Sequence, residues 1–131
     1  MLHHISFSVS DLERSALFYD VVLGALGYKR VWSFPDAVGY GMTGSDDKFA
    51  IKKRGFEKVA SPSPGFHLAF VANSRRDVDA FHLAALKNGG KDNGAPGLRD
   101  KYGPGYYAAF VIDPDGYPIE AVIIDETVKR I

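Results

Sequence analysis

The chain contains no cysteine. Disulfides, thiolate zinc sites and a cysteine nucleophile are therefore excluded. It also lacks a charge bias: 16 basic and 16 acidic residues give a formal net charge of zero. That balance offers no electrostatic footing for nucleic acid or an anionic membrane surface, and neither is expected as a partner. No apolar run is long enough to span a bilayer. Met1-Leu-His-His4 lacks the basic stretch and apolar core of an export signal, so a cytoplasmic protein is the expectation. What remains is ordinary for a folded domain: 46% hydrophobic and 24% charged residues over 131 positions, enough for one domain with a genuine core.

Read in order, Leu2 to Val9 alternates as a strand does, with Ile5, Phe7 and Val9 on one face and His4, Ser6 and Ser8 on the other. Ser10 and Asp11 offer an N-cap for a helix over roughly 11–25, and Gly27 a stop. Short strands follow at 28–33, 38–43 and 48–53, with a turn at Ser45-Asp46-Asp47. Gly55 to Gly65 is linker-like. A second strand at 66–72 leads to a helix over roughly 75–88, capped by Asn73 or Ser74 and ended by Gly89-Gly90. Lys91 to Gly105, rich in glycine and proline, reads as a long loop. Tyr106 to Ile124 reads as strand, turn, strand around Asp113-Pro-Asp-Gly116, and a polar tail closes the chain.

Within that last strand Glu120 is the one charge among Ile119, Ala121, Val122, Ile123 and Ile124. A carboxylate is costly to bury unless it is paired or binds a cation. The alternatives are a metal ligand and a glutamate that reaches solvent from a strand end.

The two halves repeat at an offset of 63 residues: His4 with His67, Phe18 with Phe81, Leu23 with Leu86, Gly27 with Gly90. With a one-residue gap, Asp46-Asp-Lys-Phe-Ala-Ile-Lys52 aligns with Asp115-Gly-Tyr-Pro-Ile-Glu120 and sets Lys52 opposite Glu120. The repeat implies strand, helix, then three strands for each half, although only two strands are readable directly after the second helix.

Through His4-x6-Asp11-Leu-Glu-Arg-Ser-x2-Phe-Tyr19 and Ala109-Phe-Val-Ile-Asp-Pro-Asp-Gly-Tyr-Pro-Ile-Glu120, the chain resembles the vicinal oxygen chelate superfamily. Glyoxalase I, fosfomycin-resistance enzymes, extradiol dioxygenases and bleomycin-resistance proteins belong to it. The resemblance implies an α+β fold of two βαβββ modules, about 1–55 and 66–125, joined by a linker at about 56–65. It implies a cleft in which His4, His67 and Glu120 hold one divalent ion: zinc, nickel, manganese, iron or cobalt. It also implies a homodimer with sites shared between copies. His3 and His82 are not expected as ligands. Strand parity adds Ser6, Ser8, Ala69, Tyr106, Ala108, Phe110 and Val122 to the faces of the three ligands. Tyr102, Tyr106 and Tyr107, with Arg99, form either a lid or wall of the cleft, contributed by the long loop, or plain packing at a sheet edge.

Nearest in flavour is the glyoxalase branch. The expected activity is that of a metal-dependent lyase or isomerase on a small oxygenated substrate, with Glu120 as ligand and base and with Lys52 or Arg99 orienting an anionic group. The chain departs from that branch at Lys52, where glyoxalase I supplies a further carboxylate. Phe110 stands where fosfomycin enzymes and dioxygenases carry tyrosine, and no histidine follows His82. The rival readings are a small-molecule binding protein of the antibiotic-resistance type and an Fe(II) dioxygenase.

Overall fold

The computed structural model describes residues 1–44, 46–55 and 59–127. In the first half, β1 (Ile5–Ser8) leads into α1 (Leu12–Gly24), then β2 (Lys29–Phe34), β3 (Ala37–Gly41) and β4 (Asp47–Lys52). The second half repeats the order with β5 (Leu68–Val71), α2 (Arg75–Lys87), β6 (Lys91–Leu98), β7 (Tyr106–Ile112) and β8 (Pro118–Ile124). Two four-stranded sheets result, ordered β1-β4-β3-β2 and β5-β8-β7-β6. In each the first strand runs parallel to the last and the others are antiparallel. This is the α+β fold of two βαβββ modules that the repeat predicts.

Both helices begin where the capping residues place them. Asp11 accepts from the Arg14 amide and Ser74 from the Asp77 amide. Part of the expected turn and linker, Ser45 and residues 56–58, lies outside the described residues, as does the end of the tail, 128–131.

One expectation fails. Lys91 to Leu98 is not a loop but β6, which pairs with β7 and is followed by a 3-10 turn at Asp100–Tyr102. Gly94, Pro96 and Gly97 hide its periodicity. Its register slips on both sides of Gly94, and an edge strand tolerates proline and bulges. Gly94 itself has φ +147°, and a Cβ there would lie 2.9 Å from the Phe110 ring.

Each helix covers one face of its sheet. In the second module Ala109 and Val111 of β7 and Ile119 and Ala121 of β8 are buried with Val78, Phe81 and Ala85 of α2. In the first, Phe7, Val9, Phe49 and Ile51 are buried with Phe18, Tyr19, Val22 and Leu23 of α1. Alternation along the strands then turns Glu120, Phe110, Ala108, Tyr106 and Ala69 to the other face.

The β7–β8 turn joins the modules. Asp113 Oδ1 accepts the amides of Asp115 and Tyr117, and its Oδ2 accepts the Tyr19 hydroxyl at 2.5 Å. Asp115 sits at the start of α1, where the helix dipole favours an anion. It accepts from the Ser10 amide and hydroxyl, the Ser15 hydroxyl and Arg14. Tyr117 stacks on Phe7 at 4.1 Å and donates to the Ser8 carbonyl. The turn is therefore an inter-module latch that also fixes where β8, and Glu120 on it, begins.

Candidate functional site

Glu120 is only 1% exposed. Its neighbours across the sheet are Ala69 on β5 and Phe110 on β7. Oε2 accepts the Tyr106 hydroxyl at 2.5 Å. Oε1 lies 3.1 Å from His67 Nε2, yet it has no hydrogen-bond partner. The ring nitrogen and the oxygen are close without being aligned to bond to each other. An unpartnered buried carboxylate oxygen is costly, and a histidine nitrogen beside it completes the donor pair that a divalent cation uses. These residues fit a metal ion on that ground.

The pair opens onto a cavity of about 460 Å³, walled by Phe66, Tyr102, Tyr106, Phe110, Pro118 and Ile119, with Asn93 as a further polar neighbour. Burial, then the bond to Glu120, push the Tyr106 hydroxyl up to about 12, so it is a proton donor at neutral pH. The Arg99 guanidinium lies over the Phe110 ring at 5.3 Å and donates to the Ala95 carbonyl. It makes no salt bridge among the described residues. The cavity wall thus draws on Tyr102 and Tyr106 of the segment read as a wall. Tyr107 points to the opposite face, where it donates to Asp79 and lies under Arg75.

The other half of the predicted set stands apart. His4 precedes β1, is exposed, and lies with its Nδ1 2.8 Å from His3 Nδ1. Among the described residues no three histidine or acidic side chains of one chain come together as a metal site, so His4 does not join His67 and Glu120 within the chain. His82 pairs with Asp92 at 2.9 Å, away from the cavity.

Ser6, Ser8 and Lys52 share the polar face of module one, with Ser8 paired to Lys52 and Ser6 to Ala50. That register corrects the repeat alignment. Ala69 pairs with Glu120, and Ser6 is its counterpart 63 residues earlier, so the residue equivalent to Glu120 is Ala50, not Lys52. Lys52 sits two residues further along the same face. The turn residues suggest one position for the gap, but hydrogen-bond register decides which side chains correspond.

Three contributions were not legible in the sequence: Phe66 and Pro118 as walls, and the reach of Tyr106 to Glu120. Phe66 lies before β5, where parity says nothing, and Pro118 opens β8 directly after the turn, where the start of the strand is not readable from the pattern.

Comparison with known proteins settles the family. The sequence profile of the Glyoxalase/Bleomycin resistance protein/Dioxygenase superfamily matches residues 1–121. The chain belongs to this superfamily. Among solved structures it is similar to a glyoxalase/bleomycin resistance protein from Albidiferax ferrireducens T118, with 35% identity, TM-score 0.78, and coverage of 92% of this chain and 96% of that one. It is similar to glyoxalase I from Zea mays at 27% identity and TM-score 0.68, over 96% of this chain but 46% of the maize protein. The Bacillus subtilis (strain 168) protein YqjT is 30% identical, over 92% of this chain and 97% of its own length. As a superfamily member the chain has the fold of glyoxalases, binding proteins and dioxygenases alike, and fold alone does not choose among their chemistries.

Proposed function

We propose that this glyoxalase-superfamily chain is a metal-dependent lyase or isomerase acting on a small oxygenated molecule. The observation that carries the reading is the Glu120 carboxylate, buried and with one oxygen lacking a hydrogen bond although His67 Nε2 is 3.1 Å away. His67 and Glu120 would hold the ion from module two. We assign the third ligand to His4 of a second copy, which makes the working unit a homodimer with shared sites. Two features support this. β1 and β5 are edge strands of their sheets, and Val71 and Ile124, on the same face as Glu120, are 63% and 54% exposed, an apolar border that a partner surface would cover.

A divalent ion there would polarise two neighbouring substrate oxygens and stabilise negative charge on them. The chain's own residues do the rest. Phe66, Tyr102 and Phe110 give the cavity apolar walls against which a substrate would pack. Glu120 is the group positioned to move a substrate proton, and the Tyr106 hydroxyl steadies its charge through the bond to Oε2. Arg99 stands over Phe110 to receive an anionic substrate group, and Lys52 with Ser6 and Ser8 provides the polar face of module one.

The test is titration of chelator-stripped protein with Mn(II), Fe(II), Co(II), Ni(II) and Zn(II), followed by thermal unfolding. At a hundred times Kd, a ligand of the native state adds about 2.7 kcal/mol, a rise of about 10 °C for a domain of this size. His67→Ala should abolish the rise. Turnover of a panel of α-hydroxycarbonyl and hemithioacetal compounds should depend on the same ion. If no ion stabilises the protein and nothing on the panel turns over, the enzyme reading fails. The aromatic cavity favours one rival, a binding protein without turnover, which tight ligand binding by the metal-free protein would establish. Oxygen consumption with Fe(II) would mark the dioxygenase instead.

A further inference from the structure

We infer that Tyr106 is a positioning residue which gives the two oxygens of Glu120 different tasks: it holds Oε2 and leaves Oε1 as the oxygen presented to a metal. The inference rests on the metal reading above and goes beyond it by naming the residue that orients the ligand. Tyr106 and Glu120 are not cross-strand partners. Tyr106 faces Ile124, Ala108 faces Val122, and Phe110 faces Glu120. Four residues of strand, about 13 Å, separate Tyr106 from the residue opposite Glu120. The phenol and the carboxylate meet at 2.5 Å only because both side chains lie along the sheet, across the small Ala108.

A tyrosine that merely packed at the sheet edge would have no reason to lie this way. Tyr102, its ring 5.2 Å from that of Tyr106, flanks it on the cavity wall. The bond to Tyr106 holds Oε2 in place, so turning both oxygens toward one cation would bend or break it, and His67 Nε2 stands beside the other oxygen. Partners that orient a metal ligand in this way typically account for about 10- to 100-fold in metal affinity.

The experiment compares the full chain as wild type, Tyr106→Phe and Tyr107→Phe, each titrated with Co(II) and followed by its visible ligand-field band. Tyr107→Phe removes the same atom one residue away, from the opposite face, where the hydroxyl bonds Asp79. Tyr106→Phe is expected to weaken Co(II) binding about 10- to 100-fold and to change the position or intensity of the band, because Oε2 is freed to bind. Tyr107→Phe is expected to match the wild type. A Tyr106→Phe band superimposable on the wild-type band overturns the assignment, whatever the affinity does. If wild-type protein gives no band at all, it is the metal reading that falls, and this inference with it.

Discussion

Replacing Tyr19 with phenylalanine removes one oxygen from the centre of the inter-module latch and leaves the ring in place. Tyr19 is fully buried, and Asp113, the acceptor of its hydroxyl, is 3% exposed. A hydrogen bond to a charged group contributes about 1.5–3 kcal/mol. Asp113 keeps its two amide donors on Oδ1, so we expect a loss of about 2 kcal/mol near neutral pH, or about 6–10 °C in Tm. The loss should also depend on pH. Burial raises the Asp113 carboxyl above its ordinary value, more than the Tyr19 and amide hydrogen bonds lower it. The folded protein therefore holds this proton more tightly than the unfolded chain does. The charge lowers stability at neutral pH, and that cost is relieved as pH falls through the raised folded value. Without the tyrosine the charged form loses a donor that the protonated form needs less. The difference between wild type and Tyr19→Phe should then be greatest at neutral pH and shrink on acidification. Urea unfolding at a series of pH values, at one fixed protein concentration, measures it. A difference that stays constant with pH, or never exceeds about 0.5 kcal/mol, would refute the assignment of this bond as a donor to a buried charge.

Asp115→Ala should destabilise by about 3 kcal/mol, since it strands the Ser10 and Ser15 donors of the latch. Burial pushes the Asp115 carboxyl up, but the bonds from Ser10, Ser15 and Arg14 together hold it below the ordinary range. Its contribution is thus present above the unfolded-chain value and lost as pH falls through the lowered folded value, so chemical denaturation should show the variant and the wild type converging in acid. Arg99→Met keeps a side chain of similar length against Phe110 and removes the charge. Apparent affinity for an anionic compound should fall about tenfold relative to its neutral analogue, read by competition binding, and an equal loss for both would exclude charge recognition.

The sequence carries the fold through features with a fixed period. Asp11 and Ser74 cap the helices where the hydrophobic pattern starts, and Ile119, Ala121, Val111 and Ala109 alternate into the core. It fails at β6, where Gly94 and Gly97 interrupt the alternation and the strand is recognisable only by the β7 backbone it pairs with. Glu120 was legible because a single acid in an apolar strand needs an explanation, and its burial beside His67 supplies one. The Tyr106 bond was not legible, because parity places both residues on one face but does not say that two side chains four residues out of register lean toward each other. Nor was the separation of His4, since proximity between strands of different sheets depends on how the modules pack and not on either module's pattern.

The register equivalence of Ala50 with Glu120 explains why the cavity walled beside that buried acid lies in module two. In module one Ala50 faces Ser6 on one side and Gly39 on the other. The Trp32 indole lies over Gly39 so closely that a Cβ there would come within 2.2 Å of it. The counterpart of Gly39 beside Glu120 is Phe110, which stands up from the sheet and walls an open space. One module therefore covers the face of Ala50 with an aromatic ring from β2 and keeps the strand residues there small. The other leaves that space empty and places a carboxylate at its floor. A glutamate at position 50 would have to share its surroundings with Trp32, and a glycine at position 110 would remove the wall beside Glu120. The repeat supplied the same scaffold twice, and the exchange of bulk between strands decides which copy can enclose a small molecule beside an acid.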